Sequence, residues 1–210
     1  GNDKLFLPPY QISKVTKYVG EPNPKLNKLS GTSWLATVKK IRAETIHLAY
    51  EIIRTQARRS LNRVAPLKKF IEEKNLAEGF PYELTSDQNK AWGEIEHDLA
   101  EDIPMDRLLC GDVAFGKTEL ALRAAFKTVL NGGQVALLAP TTILVQQHFD
   151  LFSERLGTLG INIGILSRWQ ESKAIKQTIK DLAEEKIDIV IGTHRLLSSD
   201  VKIPKLKLLL

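Results

Sequence analysis

Apolar residues recur along this chain in two different rhythms. From about Thr32 to Leu61, Trp34, Val38, Ile41, Thr45, Leu48 and Ile52 fall at three- and four-residue steps, and Ala49, Ile53 and Ala57 widen the stripe. That is the spacing of one face of an α-helix. Further on, the apolar positions condense into short runs: Gln134–Ala139 (QVALLA), Ile161–Leu166, Ile187–Ile191 and Leu206–Leu210. Each is too short for a helix and reads as a buried strand. Helical spacing returns between them, over Glu119–Leu130, Ile143–Leu156 and Ser172–Glu185. Leu108 and Leu109 read as the end of one more buried strand. Strands alternating with helices predict an α/β protein built on a doubly wound parallel sheet. Ligands of such sheets sit beyond the carboxyl ends of the strands.

The first third is organised differently. KLFL, from Lys4, alternates like a strand and stops at Pro8-Pro9. A lone strand is unstable in water, so it is expected to be the last strand of a domain that begins upstream. Gln11–Val19 predicts a short helix or an extended piece, and Glu21–Gly31 (EPNPKLNKLSG) reads as a connector. The long helix would reach roughly 40 Å, which suits a strut between modules as well as it suits a long packed helix. Pro66 permits a second short helix over Leu67–Asn75. Thr85 or Ser86 can cap a further helix, Asp87–Leu99. The expected division is a strand remnant at 1–20, a linker with the long helix at 21–78, and a nucleotide-binding domain at 79–210.

Composition changes this picture little. Hydrophobic content of 43% and charged content of 26% are ordinary for a soluble globular protein. No apolar run approaches the ~20 residues that span a bilayer. The start, GNDKLFLPPY, has no export-signal pattern. The single cysteine, Cys110, agrees with a reducing compartment, so no membrane and a cytoplasmic location are expected. Charge adds more. The net +5 divides into +8 over residues 1–78 and −3 over 79–210. A basic first part would attract nucleic acid or an acidic protein surface. The four histidines show no metal-ligand spacing, so no structural zinc is expected.

The sharpest chemistry lies in Arg107–Glu119, RLLCGDVAFGKTE. Gly111, Gly116, Lys117 and Thr118 satisfy the phosphate-loop pattern G-x-x-x-x-G-K-[ST], between an apolar run and a helix. Glycines let consecutive N–H groups curl round an anion at the positive end of the helix. Lys117 would set its ammonium between the β- and γ-phosphates, and Thr118 would offer its hydroxyl to Mg²⁺. These two are the expected catalytic residues, with ATP and magnesium as cofactors. Upstream, Gln88 carries a donor and an acceptor that match the Hoogsteen edge of adenine. Downstream, Thr141, Arg168 and Thr193 follow predicted strands and should share the rim with the phosphate loop. Thr141 also lies at a helix N-terminus, where phosphate oxygens bind well.

Together these stretches resemble superfamily 2 helicases and translocases. FPYELTSDQ looks like their adenine-reading Q motif, GDVAFGKTE their motif I, APTTILVQQH their motif Ia and IGTHRLL their motif Ic. The wording is most similar to the bacterial transcription-repair coupling family, and next to the fork-reversing recombination helicases. DKLFLPPYQISKVTKYVG looks like the tail of an RNA-polymerase-interacting domain, and NKLSGTSWLATVKKIR like the element linking that domain to the motor. The resemblance implies a truncated RecA-like motor lobe. Phe80 and Gln88 would contact adenine. Gly111, Asp112, Val113, Ala114, Phe115, Gly116, Lys117, Thr118 and Glu119 would form the ATP-binding loop, and Thr141, Arg168, Thr193 and His194 would face DNA. It also implies ATP-driven translocation on double-stranded DNA, with RNA polymerase and excision-repair proteins as partners of a longer parent. A non-enzymatic polymerase-docking module is the alternative from another class. Two departures stand out. Ala114 replaces the glycine usual in that loop, where a positive φ would be strained. The acidic Walker B motif expected after Leu208–Leu210 is not within these residues, so the chain alone is expected to be inactive.

Overall fold

The computed structural model describes residues 4, 6–20, 22 and 32–210. The chain divides into two compact units, Gly1–Arg59 and Ser60–Leu210. In the first, Pro9–Lys14 forms a 3-10 turn that opens with Pro at its first position, where a missing N–H costs nothing. Of the expected strand KLFL, Lys4 and Phe6 are not in a strand, and Leu5 lies outside the described residues. So does most of the connector over residues 21–31.

Helix α1 (Ser33–Leu61, 29 residues) matches the expected long helix to within a residue. It buries none of its residues. Trp34, Val38, Ile41, Leu48 and Ile52, the stripe that the spacing picked out, are all exposed.

The second unit holds α2 (Glu72–Glu78), α3 (Ser86–Leu99), α4 (Lys117–Leu130), β1 (Gln134–Leu138), α5 (Thr142–Leu156), β2 (Ile163–Leu166), α6 (Ser172–Ala183), β3 (Ile189–Gly192) and β4 (Leu206–Leu209). All strands are parallel, in the order β2-β3-β1-β4. Side chains alternate across the strands, and both faces are covered. Val135, Leu137, Ile189, Ile191 and Leu208 face a core shared with Leu99 of α3, Leu122 and Phe126 of α4, and Val145 and Phe152 of α5. Ala136, Val190 and Leu166 face a second core with Leu182 of α6 and Leu196. This is the doubly wound α/β sheet expected from the strand and helix alternation.

Two expectations are corrected. Leu108–Leu109 is not a strand: no ladder forms there, and Leu108 is 86% exposed. The segment is extended with one side on the core, so Leu109 packs inward while Leu108 turns out. The second helix begins at Glu72 rather than Leu67, because Val64 and Leu67 donate instead to the carbonyls of Asp102 and Leu99. Residues 60–78 belong to the same compact unit as the sheet. Leu76 enters the core, Lys127 Nζ of α4 reaches the Glu73 carboxylate at 3.1 Å, and Asn131 bonds both backbone groups of Lys68.

Candidate nucleotide and nucleic-acid site

The phosphate loop runs from Gly111 into the first turn of α4. Gly116 precedes the helix with φ 69°. That left-handed conformation favours glycine, and a Cβ there would also meet the Gln88 Nε2 atom at 2.6 Å, so that the Gln88 amide would have to shift. Ala114 takes φ 67°, the strained conformation anticipated for a residue with a side chain. Lys117 folds back over its own loop, and its ammonium donates to the carbonyls of Gly111 and Asp112, both at 2.5 Å. Lys117 and Thr118 line a cavity of about 350 Å³ together with Leu137 and Leu138 at the carboxyl end of β1, Leu210 just beyond β4, and His148. Burial holds the His148 imidazole below its ordinary pKa. Val113 and Phe115 are exposed on the loop, as is Cys110 at its start.

Gln88 is fixed to this loop. Thr85 caps α3 in a reciprocal capping box: the Thr85 hydroxyl accepts from Gln88 N, and Gln88 Oε1 accepts from Thr85 N at 2.8 Å. The remaining amide hydrogens of Gln88 face the loop, and Nε2 donates to the Phe115 carbonyl at 2.9 Å. One side chain therefore ties the cap of α3 to the phosphate loop.

Phe80 is half-buried, with the guanidinium groups of Arg123 at 5.8 Å and Arg155 at 5.4 Å from its ring centre. Its edge meets Tyr82, which is 74% exposed. Glu119 sits apart from the loop cavity. It is 5% exposed, and its oxygens accept from Arg123 Nε at 2.8 Å and Arg155 Nη1 at 3.0 Å. Its carboxylate is thereby committed to tying α4 to α5.

The four residues expected at DNA also lie at the carboxyl ends of the strands. Arg168, Thr193 and His194 line one cavity of about 400 Å³ with Pro140, Thr142, Arg195 and Ser198. Thr141 caps α5 and accepts from Leu144 N at 3.3 Å, leaving its hydroxyl proton free to donate. Arg195 was not singled out from the sequence. It is clamped by both oxygens of Asp200, which holds the Asp200 carboxyl below its ordinary pKa by hydrogen bonding. Arg168 has no carboxylate partner among the described residues. Lys117 shares its cavity with Leu138 and Leu210 at the carboxyl ends of β1 and β4, and so lies on the same rim of the parallel sheet as this row.

Residues 85–209, well over half of the chain, match the DEAD/DEAH box helicase family. The chain belongs to that family. The matched span runs from the capping Thr85 to the end of β4, and so takes in both cavities of this helicase domain. The whole chain is 46% identical to the transcription-repair-coupling factor of Bacillus subtilis strain 168 over 213 aligned residues, and 45% identical to that of Staphylococcus aureus strain USA300. It spans 18% of the length of each of these relatives. A solved structure of RecG bound to a three-way DNA junction is similar over 77% of this chain and 22% of that one, with a TM-score of 0.69 and 32% identity. The helicase domain is thus a RecA-like motor lobe.

Proposed function

We propose that this chain is the ATP-binding part of an ATP-driven double-stranded DNA translocase that displaces stalled RNA polymerase and couples transcription to nucleotide excision repair. The observation that carries the proposal is the common rim: an anion-binding loop and a row of hydroxyl and basic side chains lie along the carboxyl ends of one parallel sheet. The likeness to transcription-repair-coupling factors over the whole chain supports the choice of partners.

The residues present fit a nucleotide and a magnesium ion. Gly116 takes the left-handed turn that leads into α4, and no side chain caps the start of that helix. Lys117 would exchange two carbonyl partners for phosphate oxygens, a stronger charge-assisted bond. Thr118 would hold magnesium through its hydroxyl, and the ion would neutralise charge developing on the β- and γ-oxygens. Phosphate contacts from Thr141, Arg168, Thr193 and His194 would position the motor on duplex without reading sequence. The parent works in the cytoplasm, beside RNA polymerase and the excision-repair proteins.

The test is the ATPase of the full-length parent titrated with duplex DNA. Stimulation by DNA is expected, and Lys117→Ala should abolish turnover because charge at the transferring phosphoryl group is lost. An ATPase indifferent to DNA would sink the translocase reading. The RecG likeness favours a second reading, a fork-reversing helicase. Release of a stalled polymerase from DNA, without unwinding of a three-way junction, separates the first from the second.

A further inference from the structure

Trp169 is the residue of the rim that the phosphate-gripping row leaves unexplained. It is 72% exposed, although a side chain of this size is among the most costly to leave in water. It is also held there. Ser167–Gln170 forms a tight turn in which Gln170 N donates to the Ser167 carbonyl, and Ser167 N donates in return to Gln170 Oε1, both at 3.3 Å. Ser167 itself is 4% exposed, so the turn is anchored in the protein at its first residue. Arg168 and Trp169 occupy the two corners of that turn, the positions whose side chains project away from the anchored ends.

The neighbourhood decides what the indole meets. Arg168 lines the cavity with Thr193 and His194 and has no carboxylate partner among the described residues. The nearby Arg195 is already neutralised by Asp200. A free cation and an aromatic plane presented side by side on an anchored turn match the two chemistries that alternate along a nucleic-acid strand, anionic phosphate and the apolar face of the sugar.

We propose that Trp169 packs against the deoxyribose of the DNA strand whose phosphate is taken by Arg168, so that the turn grips the strand by charge and by apolar contact together. This rests on the reading of the rim as the DNA face. The test is duplex-DNA affinity of the full-length parent over a range of salt concentrations, for wild type, Trp169→Ala, Trp169→Phe and Arg168→Ala. Urea midpoints of the variants against wild type serve as the control for folding.

Loss of this apolar contact should weaken binding roughly three- to tenfold. Because no phosphate contact is removed, the slope of log affinity against log salt should stay as in wild type. Trp169→Phe should recover most of the loss. Arg168→Ala should weaken binding and flatten the slope by about one counterion. Unchanged affinity in Trp169→Ala beside a weakened Arg168→Ala would overturn the proposal and leave the DNA face standing. So would a flattened slope in Trp169→Ala, or no recovery with phenylalanine. Unchanged affinity in both alanine variants would overturn the DNA face itself, and the proposal with it.

Discussion

Ala114 sits at φ 67° in the loop that should hold phosphate. A left-handed conformation costs a residue with a Cβ about 1–2 kcal/mol. Glycine removes that cost but loses about 0.5–1 kcal/mol of chain entropy on folding. Ala114→Gly is therefore expected to stabilise the protein by roughly 0.5–1 kcal/mol, seen as a raised urea midpoint. His148 makes a second prediction at this scale. Burial depresses its pKa from the ordinary 6.5, so the unfolded chain binds a proton more readily than the native one. Its contribution is present above pH 6.5 and is lost as the pH falls through the lower native value. Urea midpoints at pH 7.5 and pH 5.5 should differ less in His148→Gln than in wild type. Single residues were unevenly legible in the sequence. The strain at Ala114 followed from the resemblance, in which glycine is usual at that place in the loop. The pairing of Glu119 with Arg123 could have been read from its i,i+4 spacing, but Arg155 lies 36 positions away and only the packed α4 and α5 bring it in.

At the scale of elements, the capping box of α3 and the Glu119 cluster do the joining. Thr85→Ala removes one half of the box and should cost about 1 kcal/mol. The Gln88 side chain keeps its place, because its partners are the Thr85 backbone N–H and the Phe115 carbonyl, which alanine leaves intact. A urea midpoint lowered against wild type would report the loss of the cap. Glu119→Ala leaves the mostly buried Arg123 and Arg155 without their carboxylate, and breaking such a pair costs about 3–5 kcal/mol. A denaturation series against wild type measures it. Helices with a cap or a strong period, such as α3, α5 and α6, were legible to within a residue or two. The Leu108–Leu109 segment was not, because an apolar pair cannot reveal whether a neighbouring strand exists to complete its ladder. The start of α2 was missed for a related reason: Val64 and Leu67 are drawn to the distant carbonyls of Asp102 and Leu99.

The molecule as a whole divides at Ser60 rather than where composition shifts. Residues 60–210 contain both cores and all four strands of the described sheet. A chain of those residues alone is expected to unfold cooperatively with a urea midpoint close to that of residues 1–210, and a broad, non-cooperative transition would refute it. The rim was legible because parallel strands put their carboxyl ends on one side whatever their order. The order β2-β3-β1-β4 was not, since nothing in a run of Val, Ile and Leu names its neighbour. One further feature has a practical use. Cys110 is the sole thiol of the chain, and it is exposed beside Gly111. A maleimide dye would therefore attach at a single point, directly at the hinge of the loop. Its emission would follow nucleotide arrival and departure in real time without any engineered mutation.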